Sequence, residues 1–328
     1  MTARDGAAVD VLVAVVTYDS AGLLPGLLES LPAGLEGLTW HLVVADNDSS
    51  DGSADLAARL APQATVVRTG RNGGYAAGVN AAVAAGPGSG AVLVLNPDVR
   101  LGPGCARELC RALAASGTGI AVPRLVDGRG RLIETIRREP TVLRAVADAV
   151  LGARRAGRVP GLGEVVTAAS CYDRPAVVDW AEGSTVLVSR ECWDRCGPWD
   201  ESFFLYSEET DFALRAGDAG LAARYVPTAR AVHLEGDSRT APGLWALLTL
   251  NKVRLFARRR GRAATAAYWL ALVAREAGRA VLGRDTSRAA VRALLSPAAL
   301  REPPGPALVR RLGAPGRRPG TPAGSGGR

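Results

Sequence analysis

The first hundred residues alternate between short apolar runs and segments of helical spacing, and this alternation restricts the fold more than any other feature. The apolar runs cover residues 9–18, 41–45, 65–68 and 91–95. Helical spacing covers residues 21–31, where Pro32 is expected to end the helix, and then 53–60 and 75–85. The first run, VDVLVAVVTY, is almost continuously apolar, as in a parallel strand that is covered on both sides. The pattern predicts an α/β fold with an open, mostly parallel sheet and helices on both faces.

The alternation weakens after residue 126. Residues 137–179 combine turn signals, basic residues and weak periodicity, which predicts an insertion or a mobile loop. Regular structure is then expected as strands at 178–190 and 223–233 and as helices at 190–196, from about 211 to 219, at 242–260 and at 263–282. Residues 301–328 are rich in Pro, Gly and Arg and are predicted to be disordered.

The net charge of +8 is unevenly distributed along the chain. From Trp245 to the C-terminus there are 17 Lys and Arg residues against 3 acids, whereas residues 1–244 hold 23 basic and 29 acidic residues. A basic C-terminal quarter indicates an anionic partner, either lipid phosphate or nucleic acid. Because Lys252 is the only lysine, a general bias towards arginine explains the charge equally well.

The cysteines and the N-terminus indicate the compartment. The five cysteines are odd in number and unevenly spaced, so no disulfide framework is expected. The chain has no run of 18 apolar residues and does not begin with an apolar stretch preceded by basic residues. Neither a transmembrane segment nor a signal peptide is therefore expected, and we predict a cytoplasmic protein.

Polar clusters follow the predicted strands, at the edge where open α/β sheets bind ligands. The sequence DNDSSDGS at 46–53 offers acceptors for a base or a ribose, and the paired glycines of RNGGYAAGVN at 71–80 allow close approach to a phosphate. In Asn96-Pro97-Asp98, a carboxylate at a strand end is suited to Mg²⁺ or Mn²⁺. Each cluster taken alone is equally consistent with an ordinary turn or helix cap.

The stretch WDESFFLYSEETD at 199–211 is the most distinctive, with five acids and four aromatic residues. Aromatic neighbours can raise the pKa of a carboxyl group into the range of a general base, whereas a solvated acidic loop is the plainer alternative. His233, at the end of the last predicted strand, is either a metal ligand or a structural residue.

Taken in order, VVTY, DNDSSDGS, RNGGYAAGVN, LNPD, FFLYSEETD and a trailing histidine resemble the family 2 glycosyltransferases. The resemblance is to the rhamnosyltransferase-like subgroup that builds bacterial cell-surface glycans, and it covers about residues 9–240. It implies a GT-A fold for residues 1–240, with a nucleotide-sugar half at about 9–126 and an acceptor half at about 176–240. Basic helices at 241–300 and the tail would follow.

The resemblance also implies roles for matching residues. Those matching the nucleotide-sugar site are Thr17, Tyr18, Asp46, Asn72, Gly74, Asn80 and Asn96. Gly183 and Ser184 match the segment that faces the acceptor. Asp98 matches the last acid of the family's metal-binding motif, whose first acid is here Asn96, and His233 matches the second protein ligand to Mg²⁺ or Mn²⁺.

Glu209 matches the family's catalytic base, which is usually aspartate, and Glu208 and Asp211 remain alternatives. The implied reaction is a single displacement with inversion, in which the base deprotonates an acceptor hydroxyl. The implied donor is a nucleotide-diphosphate sugar, most often dTDP-rhamnose in this subgroup, with UDP-linked galactofuranose, glucose or N-acetylglucosamine open. The acceptor would be a glycan or a polyprenyl-diphosphate-linked glycan.

Two other classes are less consistent with the sequence. A nucleotidyltransferase would need a basic loop near its N-terminus, and residues 17–30 contain no basic residue. A non-catalytic nucleotide- or glycan-binding module would have no need to keep Asp98, Glu209 and His233 together.

For the basic quarter, residues 244–260 mix large apolar and basic side chains, which suits a helix lying on an anionic membrane. Contact through residues 244–300 with the inner face of the plasma membrane is one interpretation. The other is that these helices pack on the catalytic domain with their arginines in solvent. Nucleic-acid binding is not expected, because no basic groove with interleaved aromatic residues is apparent.

Overall fold

The computed structural model describes residues 8–234 and 241–314. The strands within these residues are β1 Val9–Thr17, β2 Trp40–Asp46, β3 Thr65–Arg68, β4 Ser89–Leu95, β5 Val99–Leu101, β6 Thr118–Val126, β7 Ile136–Arg137, β8 Ala176–Val178, β9 Trp180–Ala181, β10 Thr185–Ser189 and β11 Ala222–His233. The helices are α1 Leu24–Gly34, α2 Ser53–Leu60, α3 Tyr75–Ala85, α4 Cys105–Leu113, α5 Val142–Leu151, α6 Ala153–Ala156, α7 Arg190–Cys196, α8 Glu208–Asp218, α9 Pro242–Arg259, α10 Arg262–Val281, α11 Asp285–Leu294, α12 Pro297–Arg301 and α13 Pro306–Gly313.

One large sheet organises the chain, in the order β3-β2-β1-β4-β10-β6-β11-β5, with β8 paired to β11. The first four strands are parallel, β10 runs antiparallel between β4 and β6, and β6 is parallel to β11. The registers Thr17 with Asp46 and Thr185 with Leu95 bring the ends of β1, β2 and β4 and the start of β10 to one edge. The predicted sheet is therefore confirmed, and its two sequence halves share it.

Each face of the sheet has its own core, because successive residues of a strand point to opposite sides. Along β1, Leu12, Ala14 and Val16 lie in one core with α3, α7 and α8, while the alternate valines lie in the other with α1, α2 and α4. This double coverage explains why the first apolar run is continuous. It also explains why α1 continues through Pro32, where the sequence predicts its end, to Gly34. The buried leucines of α1 keep the last turn packed although the proline removes a backbone hydrogen bond.

Residues 137–179, predicted as an insertion or a mobile loop, contain regular structure that the sequence did not predict. They contain β7, α5, α6 and a 3₁₀ turn whose Tyr172 is fully buried. The side chain of Thr141 caps α5. The helix is hard to see in the sequence because Leu143 and Val150, on its outer side, are exposed and apolar, which removes the usual contrast between its faces.

Helix α9 is a core helix, and this corrects the prediction that residues 244–260 lie on a membrane. Its residues Leu247, Leu250, Val253 and Phe256 are all buried. The ring of Phe256 stacks on Tyr268 of α10 at a centroid distance of 4.1 Å. Since these apolar side chains are used inside the protein, they are not available to contact lipid.

The arginines at the end of α9 are also engaged by the rest of the protein. Arg258 pairs with Asp200, and Arg259 pairs with Asp218 at 2.8 Å. The packing alternative is therefore the correct one for this helix. Within the parts of the chain that the structure describes, no helix is long and apolar enough to cross a bilayer.

The predicted disorder of residues 301–328 is wrong for residues 301–314, where α13 packs against α9 and Leu308 is buried. The helices approach so closely that a Cβ on Gly243 would lie 2.4 Å from the Val309 carbonyl oxygen. Leucines spaced along this short basic segment anchor α13. The high content of Pro and Gly concealed this pattern in the sequence. Residues 315–328 lie outside the described residues.

Candidate active site

Thr17 and Asp46 end neighbouring parallel strands and meet at the sheet edge. The hydroxyl groups of Thr17 and Ser49 donate to Asp46 Oδ1 at 2.8 and 2.6 Å, and the Ser49 N–H donates to Oδ2 at 3.0 Å. The carboxylate of Asp46 is 3% exposed, so it already holds the turn, and only Oδ2 has capacity left for a ligand. Tyr18 is 53% exposed, which leaves its ring available at this edge.

The glycine loop after β3 is fixed by close contact with the aromatic–acidic stretch. Gly74 has φ +91°, and a Cβ there would lie 2.0 Å from the Phe204 carbonyl oxygen, which accepts a hydrogen bond from the Tyr75 N–H at 2.7 Å. Asn72 Oδ1 accepts from the Gly74 N–H at 3.1 Å, and Asn47 Nδ2 donates to the Gly74 carbonyl at 2.7 Å. Only glycine fits this position, because it needs both a positive φ and a bare Cα.

Asn80 is engaged on the side of α3 that faces the same stretch. Its Nδ2 donates to the Trp199 carbonyl at 2.9 Å and its Oδ1 accepts from the Trp199 N–H at 3.0 Å. A further bond of 3.0 Å joins Nδ2 to Glu201 Oε1. The side chain of Asn80 therefore positions the backbone at Trp199, whereas Thr17, Asp46 and Gly74 lie at the ligand edge.

Asp98 and His233 are brought together by the antiparallel pairing of β5 with β11. His233 Nε2 lies 3.2 Å from Asp98 Oδ2, and the Leu234 N–H donates to the Asp98 carbonyl at 3.0 Å. The Asn96 N–H donates to the Ser184 carbonyl at 2.9 Å, which joins the end of β4 to the segment before β10. Two distant parts of the sequence thus supply one polar pair at the sheet edge.

This pair fits a divalent cation. Adjacent ligands of an octahedral ion with bonds of about 2.1 Å lie about 3 Å apart, close to the observed separation. Among the described residues there is no group of three or more His, Cys, Asp or Glu side chains placed to hold an ion. Asp98 and His233 would therefore supply two ligands, and substrate phosphates and water the others.

Glu208 and Glu209 occupy the first turn of α8, and both have a carboxylate oxygen that is buried without a hydrogen-bond partner among the described residues. Burial, followed by the charge of Glu209, raises the pKa of Glu208 well above its usual value. Burial also raises the pKa of Glu209 to about 7, with a contribution from the charge of Glu182 and an opposing one from Arg137. A carboxyl group with such a pKa can exchange a proton near neutral pH.

Asp211 and Gly183 have plainer roles. Arg215 Nε donates to Asp211 Oδ2 at 2.7 Å in an ion pair one helical turn apart, so the Asp211 carboxylate is occupied. A Cβ on Gly183 would lie 3.0 Å from the Cβ of Glu209. The glycine therefore gives the Glu209 side chain its room.

Tyr75 is a site residue that motif reasoning missed. Its hydroxyl lies 3.5 Å from the Gly183 carbonyl oxygen, within the limit of a weak hydrogen bond. Burial, and then the charges of Glu208, Glu209 and Asp98, raise its pKa well above the usual value. Asp98 and the acidic pair Glu208–Glu209 therefore all lie close enough to Tyr75 to affect its phenol. The signal was present, since Tyr75 directly follows the paired glycines.

Arg137 and Glu182 form an ion pair in the neighbourhood of Glu209. The guanidinium of Arg137 pairs with the Glu182 carboxylate and lies 6.0 Å from the centre of the Trp180 ring. Both side chains influence the pKa of Glu209. Arg137 falls in the segment expected to be a loop, so its role could not be anticipated.

Asn251 of α9 holds the backbone that leads into α8. This fully buried amide donates to the carbonyl oxygens of Phe203, Leu205 and Tyr206 at 2.8, 2.9 and 3.2 Å. Phe204, Tyr206 and Ser207 all have positive φ, between 64° and 77°. Non-glycine residues adopt this conformation at a cost, so the turn depends on its external hydrogen bonds.

Comparisons with known proteins agree with this architecture. The family model described as "Glycosyl transferase family 2" matches residues 12–156, and that described as "Glycosyl transferase family group 2" matches residues 91–272. The mannosyltransferase PcManGT from Pyrobaculum calidifontis, solved with GDP-Man and Mn²⁺, superposes with a TM-score of 0.55 at 18% identity, covering 93% of this chain and 79% of that one. The fold is therefore GT-A, as expected.

Two curated relatives are rhamnosyltransferases. The N-acetylglucosaminyl-diphospho-decaprenol L-rhamnosyltransferase of Mycobacterium tuberculosis is 33% identical over 251 residues, which cover 70% of this chain and 78% of that protein. The rhamnosyltransferase WbbL of Escherichia coli is 40% identical over 57 residues, covering 17% of this chain and 22% of its own length. The chain belongs to glycosyltransferase family 2 and is a homologue of bacterial rhamnosyltransferases.

Proposed function

We propose that this glycosyltransferase moves rhamnose from dTDP-rhamnose to a hydroxyl of a polyprenyl-diphosphate-linked N-acetylglucosamine, with inversion at the anomeric carbon. The observation that carries the mechanism is Glu209, whose Oε2 is buried without a hydrogen-bond partner among the described residues and whose pKa is raised to about 7 by burial. The sugar and the acceptor come from the Mycobacterium tuberculosis relative, whose name states both an L-rhamnosyl transfer and a decaprenyl-diphosphate acceptor. UDP-linked galactofuranose, glucose and N-acetylglucosamine are the alternative donors.

The donor would lie along the carboxyl edge of β1, β2 and β4. Thr17, Tyr18 and Asp46 would bind the nucleoside, and the loop of Asn72 and Gly74 would lie beside the diphosphate. Asn96 would approach the sugar from the end of β4. In this arrangement Asn80 acts indirectly, through the backbone of Trp199.

Asp98 and His233 would hold the divalent cation, Mg²⁺ or Mn²⁺. When bound there, the cation would neutralise the charge that develops on the departing diphosphate. The Tyr75 hydroxyl, whose pKa is raised well above its usual value, stays protonated and can donate a hydrogen bond within this acidic region.

Glu209 is the general base of the proposed reaction. As the acceptor oxygen bonds to the anomeric carbon, the bond from that carbon to the diphosphate breaks, and the acceptor proton passes to the Glu209 carboxylate. Glu208 is less suited, because the residue is only 2% exposed and burial raises its pKa well above the usual value. Asp211 is less suited because Arg215 holds its carboxylate. Gly183 and Ser184 would border the acceptor beside Glu209.

A transfer assay tests the proposal directly. The full chain is incubated with each labelled dTDP- or UDP-sugar and a short-chain polyprenyl-diphospho-N-acetylglucosamine, with Mn²⁺ or with a chelator, and the product's anomeric configuration is read by NMR. We expect transfer from dTDP-rhamnose, loss of transfer with the chelator, and inversion. Retained configuration would refute the base mechanism, and donor binding without any turnover would support a binding module instead. The same assay is run on Glu209→Gln, which removes the proposed base. Glu191→Gln, which alters an exposed glutamate of α7, is its control.

A further inference from the structure

Helices α5 and α10 pack against each other and expose apolar side chains side by side. On α5, Leu143, Val146 and Val150 follow one another at three- and four-residue intervals, and Leu143 and Val150 are 66% and 76% exposed. Residues this far apart lie on one face of a helix. An exposed leucine alone is unremarkable, but a row of them on a helix marks a surface that is normally covered.

The outer face of α10 continues this surface. Its exposed positions Ala263, Ala266, Leu270, Ala274 and Gly278 recur every three or four residues and carry no charge. Val281 and Leu282, at its C-terminal end, are 87% and 81% exposed. The opposite face of α10 packs Tyr268 and Leu272 into the core, so the helix is apolar on both sides. We call the exposed face of α5 and α10 the α5/α10 surface.

The exposed charges of the segments that carry the α5/α10 surface are mostly positive. Within residues 140–163 and 261–284 the only acids are Asp148 and Glu276, and both are buried. The exposed charged residues of these segments are all arginines, Arg154, Arg155, Arg158, Arg262 and Arg284. An apolar strip flanked by five exposed arginines, with one exposed acid at its end, Asp285, which pairs with Arg288, is complementary to a bilayer with anionic headgroups.

We propose that the α5/α10 surface docks the protein on an anionic phospholipid membrane. The apolar side chains of α5 and α10 enter the headgroup region, and the surrounding arginines contact lipid phosphates. A second copy of the chain fits this surface less well. In a twofold contact the same surface is present on both subunits, so arginines would face arginines.

The position of α5 relative to the site agrees with this docking. Helix α5 begins five residues after Arg137, which pairs with Glu182 beside Glu209. The proposed membrane contact therefore follows closely in sequence after Arg137, which lies near Glu209. That a lipid-linked acceptor enters from this side rests on the proposed function, whereas the docking itself rests only on the surface.

Vesicle flotation of the full chain tests the docking. Wild type is compared on phosphatidylcholine vesicles with and without phosphatidylglycerol. We expect binding only to the anionic vesicles, and a loss of at least tenfold in partition coefficient for Leu143→Glu/Val150→Glu. The control Ala58→Glu/Leu60→Glu adds the same two charges at exposed positions of α2 and should bind as wild type. Arg154→Ala/Arg155→Ala should weaken binding by about 25-fold at low salt, since each arginine near the surface contributes about fivefold.

Several results would overturn the docking. The docking is wrong if the wild-type protein fails to float with anionic vesicles. It is also wrong if the α5 variant and the α2 control lose vesicle binding to the same extent. If light scattering shows a wild-type dimer that Leu143→Glu/Val150→Glu converts to a monomer, the surface joins two copies instead. An unchanged melting temperature confirms that the variants fold. Activity on a water-soluble acceptor should survive in the α5 variant, and if even wild type shows no transfer, the proposed function fails while the flotation result stands.

Discussion

Replacement of Asn251 by alanine probes how the C-terminal helices support the site. The amide of Asn251 has two N–H groups and faces three backbone carbonyl oxygens at 2.8–3.2 Å. Losing two buried hydrogen bonds costs about 1 kcal/mol each, and leaving buried carbonyls unsatisfied adds as much as about 2 kcal/mol more. The expected cost is therefore about 2–4 kcal/mol, and it falls on the turn of Phe204, Tyr206 and Ser207, which is already strained by positive φ.

This cost should appear in catalysis, because the turn leads directly into Glu208 and Glu209. If the turn loosens, a smaller fraction of the molecules holds Glu209 in the position needed for catalysis. A destabilisation of that position by about 2 kcal/mol corresponds to a fall of about 30-fold in kcat/KM. Water would also reach Glu209 more easily. Since burial is the main cause of its raised pKa of about 7, that pKa should fall and the acidic limb of the pH–rate profile should move to lower pH.

The assay is the pH dependence of kcat/KM for rhamnosyl transfer, with the melting temperature measured alongside. Thr249→Val is the matched control, because Thr249 is also buried on α9 and its hydroxyl bonds only within the helix, to the Trp245 carbonyl at 2.9 Å. Thr249→Val should change neither kcat/KM nor the pH at which the acidic limb of its profile lies. If Asn251→Ala lowers the melting temperature but changes neither, Asn251 does not position the base, and the argument fails.

Four further predictions concern the site itself. Glu209→Gln should reduce transfer by at least about a thousandfold while donor binding, measured by thermal shift, persists; a larger loss for Glu208→Gln would exchange their roles. In wild type, kcat/KM should rise as pH increases through about 7, because the base must lose its proton, and a flat profile between pH 5 and 8 would contradict the pKa of Glu209. Asp98→Asn should weaken Mn²⁺ binding at least tenfold by calorimetry, and unchanged binding would place the cation elsewhere. Gly74→Ala should prevent productive folding of the loop, since a Cβ would lie 2.0 Å from the Phe204 carbonyl oxygen, and wild-type stability and activity would refute that clash.

Glu209 also links the site to stability. Its pKa is raised in the folded protein, so the folded state binds its proton more tightly than the unfolded state does. The free energy of unfolding should therefore fall as pH rises from about 4.5 to about 7. Glu209→Gln should remove this part of the pH dependence, which urea titrations at a series of pH values would measure.

Much of the architecture could be predicted because it depends on local patterns. The valine-rich runs of β1 and β4 require a sheet covered on both faces, and the structure has that sheet. Helices α2 and α3 begin and end where helical spacing does. The polar residues Thr17, Asp46 and Asp98 were placed at strand ends, and parallel strands necessarily bring such ends to one edge.

Interactions between distant segments were decided only by the tertiary structure. The pairing of Asp98 with His233 was suggested by resemblance, but the distance comes from the antiparallel contact of β5 with β11. The pKa of Glu209 depends on burial and on two side chains more than 25 residues away. Asn251 looked like one polar residue in an amphipathic helix, and its partners lie some 45 residues earlier.

Helices α9 and α5 illustrate the same difference between what the sequence and the tertiary structure determine. By composition, α9 was the membrane candidate and α5 was not recognised as a helix. In the structure α9 packs against α10, α11 and α13 and most of its large apolar residues are buried, whereas α5 and α10 keep an apolar face outside. A sequence shows how much apolar surface a helix has. Which part of that surface is buried depends on the neighbours that the fold supplies, because burial is a property of the assembled layers and not of any one segment.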